Sequence, residues 1–312
     1  MKRNLLVLGS AIVALLTLAV IISCEKAIFD SEETKDEPNG NLRVSVFQIE
    51  KTPFASLTRG GSWNVPDGDG TTTRAAQAAS EILTRLNFAV YHLDGSRVKQ
   101  VNQTAGDKNF GTCSFQLDEG DYQLVAVGHS ASGNPTMTNS AKIQFTNATG
   151  YTDTFMASLD VTIGEEPVDV DFTLDRIVAL CRFVLTDESF PAEVKKMQFY
   201  YTGGSGAFDA STGLGSVNSK QTVTFDVSNG QKQFDLYTFL HEESDNIALK
   251  VSALDANGNA LYERDFDVPM QTNHITWLTG AFFDGTGGSS SSGGVTVIGV
   301  NTDWAGETHL TF

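Results

Sequence analysis

The sequence is poor in cysteine, proline and basic residues, and each shortage excludes a class of protein. Three cysteines among 312 residues are too few for a disulfide framework. Seven prolines beside 29 glycines and many valine, threonine and phenylalanine residues favour strands and turns over disorder or a helical bundle. Lysine and arginine number 21 against 38 acidic residues, and the formal net charge of −17 excludes nucleic acid as a partner.

The sequence also lacks the motifs that carry catalysis. None of the five histidines has a partner at zinc-ligand spacing, and His241-Glu242-Glu243 has no second histidine four residues after the first. The run Gly203-Gly204-Ser205-Gly206 is no nucleophile elbow, because Ala207 stands where the second glycine is needed. No phosphate loop is present, and pairing two of the many carboxylates as a glycosidase dyad has no basis. We therefore predict no enzyme activity, no catalytic residue, no metal and no cofactor.

The amino-terminal residues set the compartment. Lys2 and Arg3 precede an apolar run over residues 5–22, which is typical of an export signal. The run is long enough that an uncleaved membrane anchor is the alternative. Ile21-Ile22-Ser23-Cys24 resembles the bacterial lipobox, with tolerated variants at its first and third places. The resemblance implies a signal peptide over residues 1–23, lipidation of Cys24 and an outer-membrane location.

Residues 24–40 form the predicted tether. They are acidic and contain few apolar side chains, so we expect a solvated segment. An acidic stretch directly after the lipidated cysteine resembles the surface-export signal of Bacteroidales-type lipoproteins. A plain linker is the alternative.

The body of the chain alternates apolar and polar residues, as half-buried strands do. Leu42 to Val46 and Asp169 to Asp175 both show period two, and Asp94-Gly95 and Asn257-Gly258 are hairpin turn signals. Short strands with almost no helix predict an all-β protein of two tandem antiparallel β-sandwich domains. Their similar length and turn usage are consistent with two copies of one fold. We place the domains at residues 41–175 and 176–283.

Two pairs of alternatives concern cysteine and tryptophan. Cys113 and Cys181 could form one disulfide in an oxidising compartment, but the predicted boundary separates them and favours two buried thiols. Trp63, Trp277 and Trp304 could form a glycan-stacking platform, but they lie in different segments, so packing in a core or loop is the preferred interpretation.

The carboxyl end contains a tether followed by a strand pattern. Residues 284–294 are rich in glycine and serine and predict a flexible linker. The segment 295–312 after it either folds back as the last strands of the second domain or is donated to a neighbouring subunit that lacks a strand. The candidate donor residues are Val295, Val297, Ile298 and Val300.

Several stretches resemble the fimbrial anchor subunits of the Bacteroidales type, the FimB and minor-fimbria anchor family. The similar segments are 24–26 with the acidic tether, 39–47, 86–95, 133–137 and 199–209. The resemblance implies two transthyretin-like β-sandwiches, a lipid anchor in the outer membrane, and a role at the base of a polymer whose subunits exchange strands. It also implies a fimbrial shaft subunit as the protein partner.

The predicted function is therefore mechanical. The chain would anchor the base of a fimbria through Cys24 and end or limit its polymerisation, because an intact first strand keeps its own groove filled. Its carboxyl-terminal strand would serve the first shaft subunit, and no small-molecule substrate is expected. The alternative is a surface glycan-binding lipoprotein, which would share the lipid and the sandwiches.

Overall fold

A computed structural model describes residues 40–49, 82–283 and 304–312, all within one compact unit, Pro38–Phe312. The predicted signal peptide, the lipidation site Cys24, nearly all of the tether and the linker lie outside the described residues. The four candidate donor residues Val295, Val297, Ile298 and Val300 and the tryptophan Trp63 also lie outside them.

The described residues form eighteen strands, which confirms the all-β prediction. The first nine are β1 Leu42–Ile49, β2 Arg85–His92, β3 Arg97–Thr104, β4 Thr112–Phe115, β5 Gly120–His129, β6 Thr136–Asn139, β7 Lys142–Gln144, β8 Thr154–Ile163 and β9 Val168–Arg176. The others are β10 Ala179–Leu185, β11 Lys196–Thr202, β12 Ala207–Phe208, β13 Gln221–Asp226, β14 Gln233–Thr238, β15 Ser244–Leu254, β16 Ala260–Gln271, β17 His274–Gly280 and β18 Gly306–Thr311.

Alternation along the strands matches their burial. In β9 the side chains of Asp169, Asp171, Thr173 and Asp175 are exposed, and the alternate residues Val170, Phe172 and Leu174 are buried in the first core. The first residues of β10 are buried on both faces, because Cys181 lies in the second core and Leu180 in a cluster shared by both sandwiches. The two predicted turns are present, with positive φ at Gly95 (84°) and Gly258 (87°).

The two blocks share one strand plan. In the first, the neighbours are β9-β1-β4 and β3-β2-β5-β8; in the second they are β17-β10-β14 and β13-β11-β15-β16. Counterparts follow in the same chain order. Strand β1 runs parallel to β9 and antiparallel to β4, as β10 runs parallel to β17 and antiparallel to β14. The topology thus confirms two copies of one fold.

Three parallel pairs, β1–β9, β10–β17 and β17–β18, depart from the purely antiparallel pairing expected among the described strands. The cause of the first two is the repeated plan. When seven strands alternate in direction, the first and the seventh run the same way, so they pair in parallel wherever they are neighbours.

A few strands lie outside the repeated plan. Strands β6, β7 and β12 form a three-stranded sheet in which β12 of the second block pairs with β7 of the first. A buried cluster that includes Val125 and Phe145 from one block and Phe208 and Phe239 from the other adds to this connection. Strand β18 has no counterpart in the first block.

The two described cysteines are free, which confirms the preferred interpretation. Cys181 is fully buried in the second core, and Cys113 is half-buried beside the first. Burial raises the pKa of each thiol to about 12.

These thiols are expected to be inert in the folded protein. Because a pKa of about 12 leaves almost no thiolate at a pH of about 8, a disulfide reagent should react slowly with a folded Cys24→Ala chain. In denaturant two thiols should react quickly, and Cys181→Ala should remove one of them. Rapid reaction of both thiols in the folded chain would contradict the burial described here.

Candidate functional site

The segment that follows the predicted linker returns to the second sandwich. Strand β18 pairs in parallel with β17, from His274 opposite Gly306 to Thr279 opposite Thr311. Among the described strands β17 is its one neighbour, and five of its six residues are half-buried while Thr311 is exposed. For residues 304–312 the structure therefore shows the fold-back arrangement, and residues 295–303 lie outside the described ranges.

The inner face of β18 and the residue after it complete the second core. Leu310 and Phe312 both pack against that core. The ring of Phe312 stacks on Phe183 at 4.9 Å and meets Phe266 edge-on at 4.9 Å. The guanidinium of Arg264 lies 4.9 Å from the same ring. Phe312 thus fills the space between the two sheets.

The outer face of the sheet contains a row of contacting side chains, one from each of four strands. Asp235 accepts two hydrogen bonds from Arg182, each 2.7 Å long, and these bonds raise the pKa of Arg182. The guanidinium lies 4.9 Å from the ring of Trp277. His309 stacks on Trp277 at 5.4 Å with an interplanar angle of 7°. Because β10 and β18 flank β17, Arg182 and His309 cover Trp277 from opposite sides.

A buried carboxylate connects β18 to this row. Glu307 accepts a hydrogen bond from the indole N–H of Trp277 at 3.1 Å, and the same oxygen lies 3.2 Å from Nε2 of His309. The side chain of Glu307 is only 6% exposed. The contact therefore fixes the register of β18 on its outer face, as Phe312 does on its inner face.

Two glycines allow β18 to approach β17 closely. A β-carbon on Gly280 would collide with the backbone oxygen and the ring of Phe312. At the other end of the strand, a β-carbon on Gly306 would collide with the ring of His274. The end of the slot at Gly280 therefore requires a residue without a side chain, whereas a side chain at position 306 would displace the ring of His274.

Trp304 lies just before β18 and is only 6% exposed. It belongs to the cluster shared by the two sandwiches, with Arg176 over its ring at 4.0 Å. The packing interpretation is therefore confirmed for Trp304. Since both faces of Trp277 are also covered, neither described tryptophan presents a free ring face for a sugar.

The structure brings residues together that sequence reasoning did not connect. The sequence predicts donor residues within 295–300, whereas the strand that pairs among the described residues is 306–311. The alternation of Leu310 and Phe312 after Gly306 was the available signal. The described residues include no group of three or more His, Cys, Asp or Glu side chains that could hold a metal. Within the same residues, no helix has the length and apolar character required to cross a membrane.

A comparison with family models assigns the chain. Residues 62–311, most of the sequence, match the model of a family of unknown function, DUF6562. The chain belongs to this family. No curated protein matches the chain. The DUF6562 description names no activity, so the FimB and minor-fimbria resemblance stays a prediction.

Solved structures offer partial likenesses to this DUF6562 member. The fimbrial anchor protein Mfa2 from Porphyromonas gingivalis is 12% identical, with a TM-score of 0.40 over 72% of this chain and 81% of that one. A fimbrial assembly protein from Parabacteroides distasonis is 12% identical, with a TM-score of 0.33 over 67% and 87%. Both TM-scores lie below 0.5.

A side chain at Gly280 is expected to expel β18 selectively. Gly280→Val should block the seat of Phe312 and leave the seven-strand plan of the second sandwich in place. The backbone amides of β18 should then exchange hydrogen at least tenfold faster, while those of β11 and β15 keep their protection. Gly164→Ala is the matched control, because a β-carbon there meets no atom within 4 Å. Unchanged protection of β18 in the valine variant would refute this account of the slot.

Proposed function

We propose that this chain is an outer-membrane lipoprotein, attached through Cys24 and exposed on the cell surface, that anchors the base of a fimbria. Its partners are the membrane, through the lipid, and the first shaft subunit, to which it supplies a carboxyl-terminal strand. The proposal assigns the chain no enzymatic activity, because its sequence contains none of the catalytic motifs considered above.

The observation that carries the proposal is the position of β18. It is an additional strand outside the repeated seven-strand plan, and it pairs with β17 alone among the described strands. Residues 284–303 connect it to the rest of the sandwich, and their first part is rich in glycine and serine. A strand with one neighbour and a long connection is suited to leave its own sheet and pair with another subunit.

The place of β1 supports the terminating role. This strand lies inside its sheet, with β9 on one side and β4 on the other. It follows directly after the predicted tether, so a lipid at Cys24 and a filled first-strand position belong to one continuous segment. A subunit that keeps this strand has no vacancy there for the strand of another subunit, and polymerisation would stop at it.

The lipid attachment can be tested on cells. Cys24→Ala should release fimbriae into the medium, because the chain would lose the acyl groups that hold it. The measurement is the ratio of fimbrial protein in the medium to that on the cells. Cys113→Ala is the matched control, since it removes a described cysteine that is not part of the lipobox sequence. Fimbriae that stay on the cells at normal length in the Cys24 variant would contradict the anchoring role.

Strand donation can be tested separately. Leu310→Asp and Ile298→Asp each place a charge on one of the two candidate segments, and a charge cannot be buried in an apolar groove without a large cost. The segment that is donated should be the one whose variant reduces the amount of polymer that copurifies with the lipidated chain. Deletion of residues 294–312 should reduce it further. An unchanged yield after this deletion would remove donation from the proposal and leave the lipid anchor standing.

A further inference from the structure

Arg176 lies at a point where three parts of the chain meet. It is the last residue of β9, and its side chain is only 3% exposed. Its guanidinium donates two hydrogen bonds to the carboxylate of Asp153, at 2.6 and 2.7 Å, and a third to the side-chain oxygen of Asn273 at 3.1 Å. Asp153 precedes β8 of the first sandwich, whereas Asn273 forms the turn between β16 and β17 of the second.

Aromatic rings contact the same guanidinium. The ring of Phe155, from β8, lies 4.7 Å from it, and the ring of Trp304 lies 4.0 Å from it. A desolvated guanidinium against aromatic rings is among the stronger contacts of its kind. The side chain of Arg176 thereby connects the first sandwich to the residue that leads into β18.

The turn at Asn273 holds the next residue of the same segment. Its backbone oxygen accepts a hydrogen bond from the N–H of Ala305 at 2.8 Å, and its own N–H donates to the oxygen of Val178 at 2.9 Å. Asn273 has a φ of 57°, in the left-handed region. Trp304 and Ala305 are therefore both fixed by contacts that include Arg176 or its hydrogen-bond partner.

We propose that this cluster, Arg176 with Asp153, Phe155, Asn273 and Trp304, retains β18 and makes the release of this strand depend on the first sandwich. The inference rests on the proposed function in giving the release a purpose, but the contacts exist without it. Beyond the cluster, β18 is held by its ladder with β17 and by the contacts of Glu307, His309, Leu310 and Phe312, all within the second sandwich. The cluster is a contact through which a movement of β8 against β9 would reach the carboxyl-terminal strand.

Arg176 acts here as a positioning residue, and its geometry explains why a lysine cannot replace it. A guanidinium is planar, so it can donate two parallel bonds to Asp153 while its faces contact rings. Lysine keeps the charge but loses the fork and the stacking. The charge of Asp153 remains partly compensated in Arg176→Lys, so the variant is expected to fold while its hold on Trp304 is reduced.

The test is hydrogen exchange on the full mature chain, followed at the backbone amides of β18 and β14. Arg176→Lys should accelerate exchange in β18 about tenfold or more and leave β14 unchanged. Asn273→Gly should give a smaller acceleration in the same strand, because it removes one hydrogen bond at a position whose backbone suits glycine. Arg43→Lys is the control for the change of residue type, since Arg43 donates two hydrogen bonds to Asp169 in an exposed pair away from the carboxyl end.

Two results would contradict the proposal that the Arg176 cluster retains β18. One is unchanged exchange of β18 in both variants, and the other is equal acceleration of β18 and β14, which would indicate general loss of stability. The outcome is independent of the anchoring role. If hydrogen exchange of β18 accelerates in the isolated variants while Cys24→Ala leaves fimbriae on the cells, the role of the Arg176 cluster is supported and the proposed function fails.

Discussion

The parallel pairing of β10 with β17 is the constraint on which the carboxyl end of the molecule depends. Because the first and last strands of the second block are neighbours, β17 pairs with β10 along one edge. Its other edge is available to a further strand. That second edge has unpaired backbone groups unless another strand lies beside it. Strand β18 occupies it, and the position of every contact described for Glu307, His309 and Phe312 follows from the register of this pair.

The same plan produces different edges in the two sandwiches. In the first, β8 and β9 pair through Phe155 with Arg176 and Met156 with Asp175. In the second, Phe312 packs beside Phe266 on the inner face of β16. Counted back from the last buried residue of each strand, Ile163 in β8 and Met270 in β16, Leu159 corresponds to Phe266, and Leu159 is 47% exposed. In the second sandwich a separate segment thus covers this position, whereas in the first sandwich the position is open to solvent.

Sequence reasoning could predict the strands but not the contacts between distant segments. Alternation located β9, and the turn residues located Gly95 and Gly258, because both signals are local. Arg176 was assigned only as the start of the second domain, although it is a buried residue that joins both sandwiches. Its partners Asp153, Asn273 and Trp304 are far apart in the chain, and no local pattern indicates which charge or ring an arginine will meet. The slot for β18 cannot be predicted from the sequence, because the need for glycine at position 280 arises only from its contact with Phe312.

A strand that follows a linker is retained in its own subunit by proximity as well as by contacts. A connection of the composition of residues 284–303, whose first part is rich in glycine and serine, is expected to give the attached strand an effective concentration on the order of millimolar. Before β18 moves, its binding free energy in the groove of another subunit must outweigh both this effective concentration and the contacts of Trp304 and Phe312. Since Trp304 is held from the first sandwich and Phe312 by the second core, loss of either contact favours transfer without unfolding the remaining strands. Retention of β18 therefore depends on Arg176 of the first sandwich as well as on the core of the second.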